Sequence, residues 1–242
     1  MKGLPATFSL ALTLAVAGCA SVPLAEAQNE AAPAARPTTA TAFAAAMNVP
    51  SRAEDVSPLR AGASAPAVTL RKPDGSAASL AEIYAEKPSV LIFYRGGWCP
   101  YCNTHLGQIA KAEPELAKMG YQVLAISPDQ PEELRKSAQK EKLSYMLLSD
   151  SDAELAKAFG VAFRVDDQTI EKYKGFGIDL DRSSGQSHHL LPVPAVYVVD
   201  KKGVIRFAHW NSDYKKRLTS EELLDAARRA LHEATREAPA QR

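Results

Sequence analysis

The sequence predicts an α/β fold in which a mixed central sheet is flanked by helices. Three observations predict it. Continuous apolar runs at 90–94 (VLIFY), 123–126 (VLAI) and 195–199 (AVYVV) read as strands buried on both faces. Segments with a helical period separate the first two runs and close the chain. The tetrapeptide Asp200-Lys201-Lys202-Gly203 is a hairpin signal that joins 195–199 to a last strand at 204–208.

The folded domain is expected over residues 59–233. It opens with a short extended segment (AGASAPAVTL), a turn at Pro73-Asp74-Gly75, and Ser79 as the cap of a short helix over 80–85. After strand 90–94, Leu106, Ile109, Ala110, Leu116 and Ala117 mark a helix, with Pro114 as a kink and Gly120 as its stop. Strand 123–126 leads into Ser127-Pro128-Asp129, which opens a charged helix running to 142. A short strand at 146–148 and a helix over 152–159 ending at Gly160 follow. Residues 161–192 make an unusually long connection, fit for a lid or an interface. Thr219-Ser220-Glu221-Glu222 is a capping signature for a final amphipathic helix over 218–233, which leaves 234–242 as a tail. Strands alternating with helices imply parallel pairs made by right-handed crossovers, finished by an antiparallel hairpin. That architecture is thioredoxin-like.

Ahead of the domain the chain reads as a targeting segment. Lys2 precedes an apolar stretch over 8–17, well short of the roughly 20 residues a spanning helix needs. The small residues that end in Cys19 resemble a bacterial lipobox, so residues 1–19 are expected to be a lipoprotein-type signal with Cys19 the lipidated residue. Ser21, at the second position after it, favours the outer membrane. The alternative is ordinary cleavage after Ala27; both export the protein to the periplasm. Residues 20–58 are rich in Ala, Pro and Thr with few large apolar residues, and read as a flexible tether. The membrane is then met through the lipid anchor only.

Composition narrows the function. The 242-residue chain has 46% hydrophobic and 24% charged residues, enough for one good core, and a formal net charge of +1. Lys and Arg form no long run, so nucleic acid is not an expected partner. Of three cysteines, Cys19 is either lipidated or removed, which leaves Cys99 and Cys102 in the motif FYRGGWCPYCN. An isolated close pair in an exported protein is an active redox pair or half a metal site.

Cys99 follows a buried strand and begins a helix, where free backbone N–H groups and the helix dipole stabilise a thiolate. It is the expected nucleophile. Cys102, one turn on, is placed to close a disulfide with it. Arg95 supplies a positive charge at the mouth of the strand, and Trp98 is placed to cover the pair. His188, His189 and His209 are available to a copper or zinc site, but adjacent residues of an extended segment point to opposite faces, so the first two cannot both aim inward.

Several separated motifs resemble the redoxin superfamily: Gly62, Ala65, Pro66 and Leu70 at the start, Trp98-Cys99-Pro100-Tyr101-Cys102, and Val193-Pro194-Ala195 before Asp200. With LAISPD, KAFGVAF, YKGFGIDL and LPVPAVYVVDKKGVIRFAHWNSDY in that order, residues 59 to 233 are similar to the peroxiredoxin-like proteins of the alkyl hydroperoxide reductase and thiol-specific antioxidant group. The resemblance implies that a hydroperoxide oxidises Cys99 to a sulfenic acid, that Cys102 condenses with it, and that thioredoxin or a periplasmic dithiol recycles the pair. No cofactor is called for. An exported thiol-disulfide oxidoreductase acting on protein disulfides would use the same residues.

By resemblance, Val193-Pro194 is the proline segment that faces the cysteines and whose backbone meets the substrate. The chain also departs from the family pattern. The hydroxyl expected three residues before the peroxidatic cysteine is replaced by Gly96, and a later arginine by the Val193-Pro194 segment. Thr104 and Tyr94 are candidate substitutes for the hydroxyl.

Overall fold

Alternate residues of the central strands face opposite ways, and both faces are covered. In the computed structural model, which describes residues 49–141 and 143–236, Leu91, Phe93, Leu124, Ile126, Tyr197 and Val199 join one buried cluster, while Val90, Ile92, Val123, Ala125, Val196 and Val198 join another. That two-sided burial is why these strands read as unbroken apolar runs.

The elements in chain order are β1 (Thr69–Arg71), β2 (Ala77–Ser79), α1 (Leu80–Glu86), β3 (Ser89–Phe93), α2 (Pro100–Lys118), β4 (Gln122–Ser127), α3 (Pro131–Glu141) and β5 (Met146–Ser149). They continue with α4 (Glu154–Ala158), β6 (Ala162–Arg164), α5 (Asp167–Gly175), α6 (Leu180–Ser184), β7 (Leu190–Pro192), β8 (Ala195–Val199), β9 (Ile205–Trp210) and α7 (Ser220–Arg236). The main sheet has the order β2-β1-β5-β4-β3-β8-β9. Parallel pairs β3–β4 and β4–β5 form its centre, and β8 lies antiparallel to both β3 and β9. The mixed sheet and closing hairpin agree with the expected fold class.

One face is covered by α1 and α4 with Phe159, whose ring lies 4.7 Å from Tyr197 and 5.0 Å from Phe93. Offset and tilted aromatic contacts of this kind stabilise beyond the area they bury. The other face carries α2 and α7, through Leu106, Ile109 and Leu116 against Leu223, Ala227 and Ala230. Because β3 ends where α2 begins, and β8 starts opposite the end of β3 (Phe93 pairs with Ala195), the two cysteines and Val193-Pro194 emerge at the same end of the sheet.

Two boundaries move. Residues 49–58, expected to belong to the tether, are fastened to the domain: the Arg164 N–H donates to Pro50 O (2.8 Å), the Leu59 N–H to Phe159 O (3.0 Å), and Val49 packs on the first cluster. Backbone pairing holds this segment, and backbone pairing leaves little trace in composition. The last helix runs to Arg236 rather than ending at 233. The expected signal 1–19, its Cys19, tether residues 20–48, Lys142 and residues 237–242 lie outside the described residues.

Residues 161–192 are not a plain connection. They hold four short elements, pair β6 with β7 in a separate two-stranded sheet, and bury a small cluster of Val165, Ile170, Leu180 and Leu191 against which Trp98 packs. The segment is thus one wall of the region around the cysteines.

Candidate active site

Cys99 is the N-cap of α2. Its φ/ψ of −91/111° is extended, Pro100 follows at the first helical position, and the Cys102 N–H donates to the Cys99 sulfur at 3.4 Å. A sulfur in place of the usual capping oxygen receives one of the helix's orphan donors, and proline loses nothing at a position whose N–H would have no partner. Both cysteines are free thiols, each 1% exposed.

The two sulfurs are driven apart in acidity. The Cys102 thiol donates to the Cys99 sulfur, the Cys102 N–H adds to it, and Arg95 and Arg217 contribute positive charge; together they outweigh burial and bring Cys99 down to about 6. Cys102 is pushed well above the ordinary thiol range by burial first, then by its role as donor to Cys99 and by the Cys99 charge. One thiolate and one thiol at neutral pH is the result, with the thiolate on the helix N-terminus. Since the thiolate is the nucleophile and its fraction rises as pH passes the folded pKa, alkylation of Cys99 by iodoacetamide is expected to reach half its maximum near pH 6 and to level off above pH 7. A midpoint near the free-thiol value, about 8.5, would contradict this.

The loop ahead of Cys99 is pinned from both sides. The Gly97 N–H donates to Asp129 Oδ2 at 2.7 Å, the Asn103 side-chain amide donates to Gly97 O at 2.9 Å, and the Cys99 N–H donates to Gly96 O at 3.1 Å. Gly96 has φ +151°, and a Cβ there would lie 2.3 Å from Trp98 Nε1. Asp129 is 1% exposed and also accepts from the Ser183 hydroxyl, so it ties the cysteine loop to α6. Burial lifts its carboxyl to about 6 against the pull of Ser183, Gly97 and Ser127. Contrary to what its sequence predicts, Ser127-Pro128-Asp129 does not open the helix. The helix starts at Pro131, because Asp129 turns back to Gly97 instead of capping its own segment.

Arg95 is not a solvated strand-end arginine. It is 5% exposed, and its guanidinium lies 4.2 Å from the Tyr214 ring centroid, 5.2 Å from Trp98 and 5.5 Å from Tyr173, while its Nη2 donates to the Tyr173 hydroxyl. Trp98 is half-buried, with Tyr173 5.6 Å from it. Arg217, in the stretch between β9 and α7, brings its Nη2 to 3.4 Å from the Cys102 sulfur. Asp129, Tyr173 and Tyr214 fall inside the motifs LAISPD, YKGFGIDL and LPVPAVYVVDKKGVIRFAHWNSDY, but no role at the site was expected of them, and Arg217 lies outside every motif. The contacts span 115 residues for Arg217 and Cys102 and 78 for Tyr173 and Arg95, so spacing carries no signal of them.

Three expectations change. Val193 is fully buried and its N–H donates to Val161 O at 2.8 Å, so that amide is already satisfied and is not open to a substrate backbone; Pro194 O accepts from the Asn211 N–H. Thr104 spends its hydroxyl on Pro100 O at 3.1 Å, inside the helix. Both ring nitrogens of His188 are occupied, by Ser151 O at 2.7 Å and the Leu190 N–H at 2.9 Å, and His189 turns its Nε2 to Asp181 at 2.7 Å. A cleft of about 400 Å³ opens at Gly97 and Trp98 of the same loop, but neither cysteine lines it. The sulfur geometry, not the cleft, locates the chemistry.

Comparison with known proteins bears on the family and the fold. The model of the AhpC/TSA family matches residues 61–208. Peroxiredoxin Bcp of Escherichia coli (strain K12) is 37% identical over 106 residues, 44% of this chain and 67% of that protein. The chloroplastic peroxiredoxin Q of Populus jackii is 29% identical over 150 residues, 62% of this chain and 60% of that protein. Among solved structures, reduced Prx3 of Vibrio vulnificus in complex with hydrogen peroxide has a TM-score of 0.58 at 19% identity, covering 70% of this chain and 99% of that one. Peroxidoxin BcpB of Mycobacterium tuberculosis has a TM-score of 0.56 at 20% identity, covering 72% and 97%. At these identities the structural likeness speaks for the fold, which is that of thioredoxin-like proteins.

Proposed function

The chain belongs to the AhpC/TSA family of thiol-dependent peroxidases, and we propose that Cys99 is its peroxide-reducing thiol and Cys102 the thiol that resolves it. One observation carries the assignment: the Cys99 sulfur caps α2 and accepts the N–H of Cys102, the second thiol one turn on. The Cys99 thiolate attacks the terminal oxygen of a hydroperoxide, an S–O bond forms as the O–O bond breaks, and the alcohol or water leaves after taking a proton. The product is a sulfenic acid. Cys102 then attacks the Cys99 sulfur, the S–S bond forms, the S–O bond breaks and water leaves. Two electrons from an external dithiol, thioredoxin or a periplasmic equivalent, restore both thiols.

The test is to mix the reduced protein with hydrogen peroxide and follow Cys99 oxidation by stopped flow. A rate far above that of a free thiol supports the proposal, and a rate no better than a free thiol sinks it.

Arg217 belongs to the second step. Cys102 must shed its proton to attack, burial opposes this, and Arg217 is the cation against its sulfur. Arg217→Gln is expected to slow disulfide closure on the order of tenfold, the equivalent of one charge-assisted hydrogen bond, so that a sulfenic-acid trap captures Cys99 in a protein that retains Cys102. Closure at the unaltered rate would remove Arg217 from the scheme.

Export and lipidation are part of the same proposal. They rest on the apolar segment at 8–17 and the small residues before Cys19. Mass spectrometry of the mature amino terminus decides it: an acylated Cys19 supports a lipid anchor at the outer membrane, and a chain beginning at Gln28 supports simple periplasmic export.

A further inference from the structure

As the O–O bond of a peroxide breaks, negative charge gathers on the leaving oxygen, and the groups that accelerate the step are donors already aimed at it. At position 96, where a hydroxyl is expected, this chain has glycine. Thr104 is committed to Pro100 O. The Tyr94 hydroxyl has no partner among the described residues but is closed from solvent at 2% exposure, whereas Tyr173 is half-buried and open to an entering peroxide.

The Arg95 and Tyr173 pair has the free valences. A guanidinium can only donate, so in their hydrogen bond the Tyr173 oxygen is the acceptor, and its own O–H donates to no group among the described residues. The Arg95 Nε, buried, has no partner among the described residues. An unpaired buried N–H on a charged group costs free energy unless a ligand meets it. Trp98, Tyr173 and Tyr214 surround the guanidinium, which excludes water and holds it in place. Trp98, whose ring meets Tyr173 at 5.6 Å and the Arg95 guanidinium at 5.2 Å, is the residue before Cys99, so the pair stands beside the Cys99 thiolate. We infer that Tyr173, oriented by Arg95, supplies the hydroxyl that binds and activates the peroxide at Cys99.

Resting on the peroxidase reading above, the step balances as follows. The thiolate pair forms the S–O bond, the O–O pair stays on the leaving oxygen, Arg95 Nε–H and Tyr173 O–H donate to that oxygen, and it takes the Tyr173 proton, which solvent replaces.

The experiment compares wild type and Tyr173→Phe, each reduced, with hydrogen peroxide and with iodoacetamide, which needs the thiolate but has no O–O bond. Phenylalanine keeps the ring against Trp98, and the pH midpoint of alkylation reports that the site is folded. The expected result is a loss of about 10- to 100-fold with peroxide, with alkylation rate and midpoint within about twofold of wild type. An unchanged peroxide rate overturns the inference. So does an equal loss with both reagents, since Tyr173 would then act only through the thiolate. A wild-type protein no faster with peroxide than a free thiol overturns the peroxidase reading itself, and the inference with it, before the variant is considered.

Discussion

Cys99→Ser is expected to abolish peroxide consumption, and Cys102→Ser to leave one turnover that ends at a trapped Cys99 sulfenic acid. The reason is an electron inventory. Among the described residues Cys99 and Cys102 are the only cysteines, both free thiols, and the first gives up its electron pair before the second is engaged. The two replacements of Cys102 then separate its roles. The leading cause of the low Cys99 pKa is the hydrogen bond from Cys102. Serine retains an O–H to donate and alanine does not, so Cys102→Ala is expected to move the alkylation midpoint of Cys99 upward and slow its peroxide reaction at pH 7, while Cys102→Ser moves it less. Equal midpoints in the two variants would mean that Arg95, Arg217 and the helix terminus suffice. If Cys102→Ser instead accumulates mixed disulfides with other proteins and shows no rapid sulfenic acid, disulfide exchange is the activity.

How much of this is legible in sequence follows from where the information is held. Strands β3, β4 and β8 are apolar without interruption because each is buried on both faces, and α2 announces itself by Cys99-Pro100 at its start and Gly120, φ +87°, at its end. The cysteine pair and the sense of its chemistry come from the same local rules. The wall of the site does not. Elements β6, α5, α6 and β7 span three to nine residues each, too short for a period to stand out. Tyr173 and Arg217 matter only through contacts across the fold. The end of the sheet at which Val193 sits is legible from its motif, but which partner its amide takes depends on β6 folding back beside it, and no dipeptide encodes that.

Gly97→Ala is expected to injure both stability and activity, and for one reason. The Gly97 N–H and C=O are held by Asp129 at 2.7 Å and Asn103 at 2.9 Å, so the backbone cannot slide without giving up a buried carboxylate's partner. A Cβ on it would sit 1.9 Å from Ser137 Oγ and 3.1 Å from Ser137 Cβ on α3. The Ser137 hydroxyl can rotate away, but its Cβ is part of the helix, so either α3 retreats or the loop lifts. Overpacking of this kind costs about 1–3 kcal/mol. A lifted loop also moves the Cys99 sulfur relative to Arg95 and Tyr173, and a displacement near 1 Å at a reacting atom costs on the order of 100-fold in rate. The double variant Gly97→Ala with Ser137→Gly removes the opposing side chain and is expected to recover most of both losses, measured as the urea midpoint and the peroxide rate constant. The coupling between the two substitutions, rather than either single effect, carries the claim. If Ser137→Gly leaves the peroxide rate of Gly97→Ala uncorrected while restoring its stability, the loop is held for folding and the position of Cys99 is set by α2 alone.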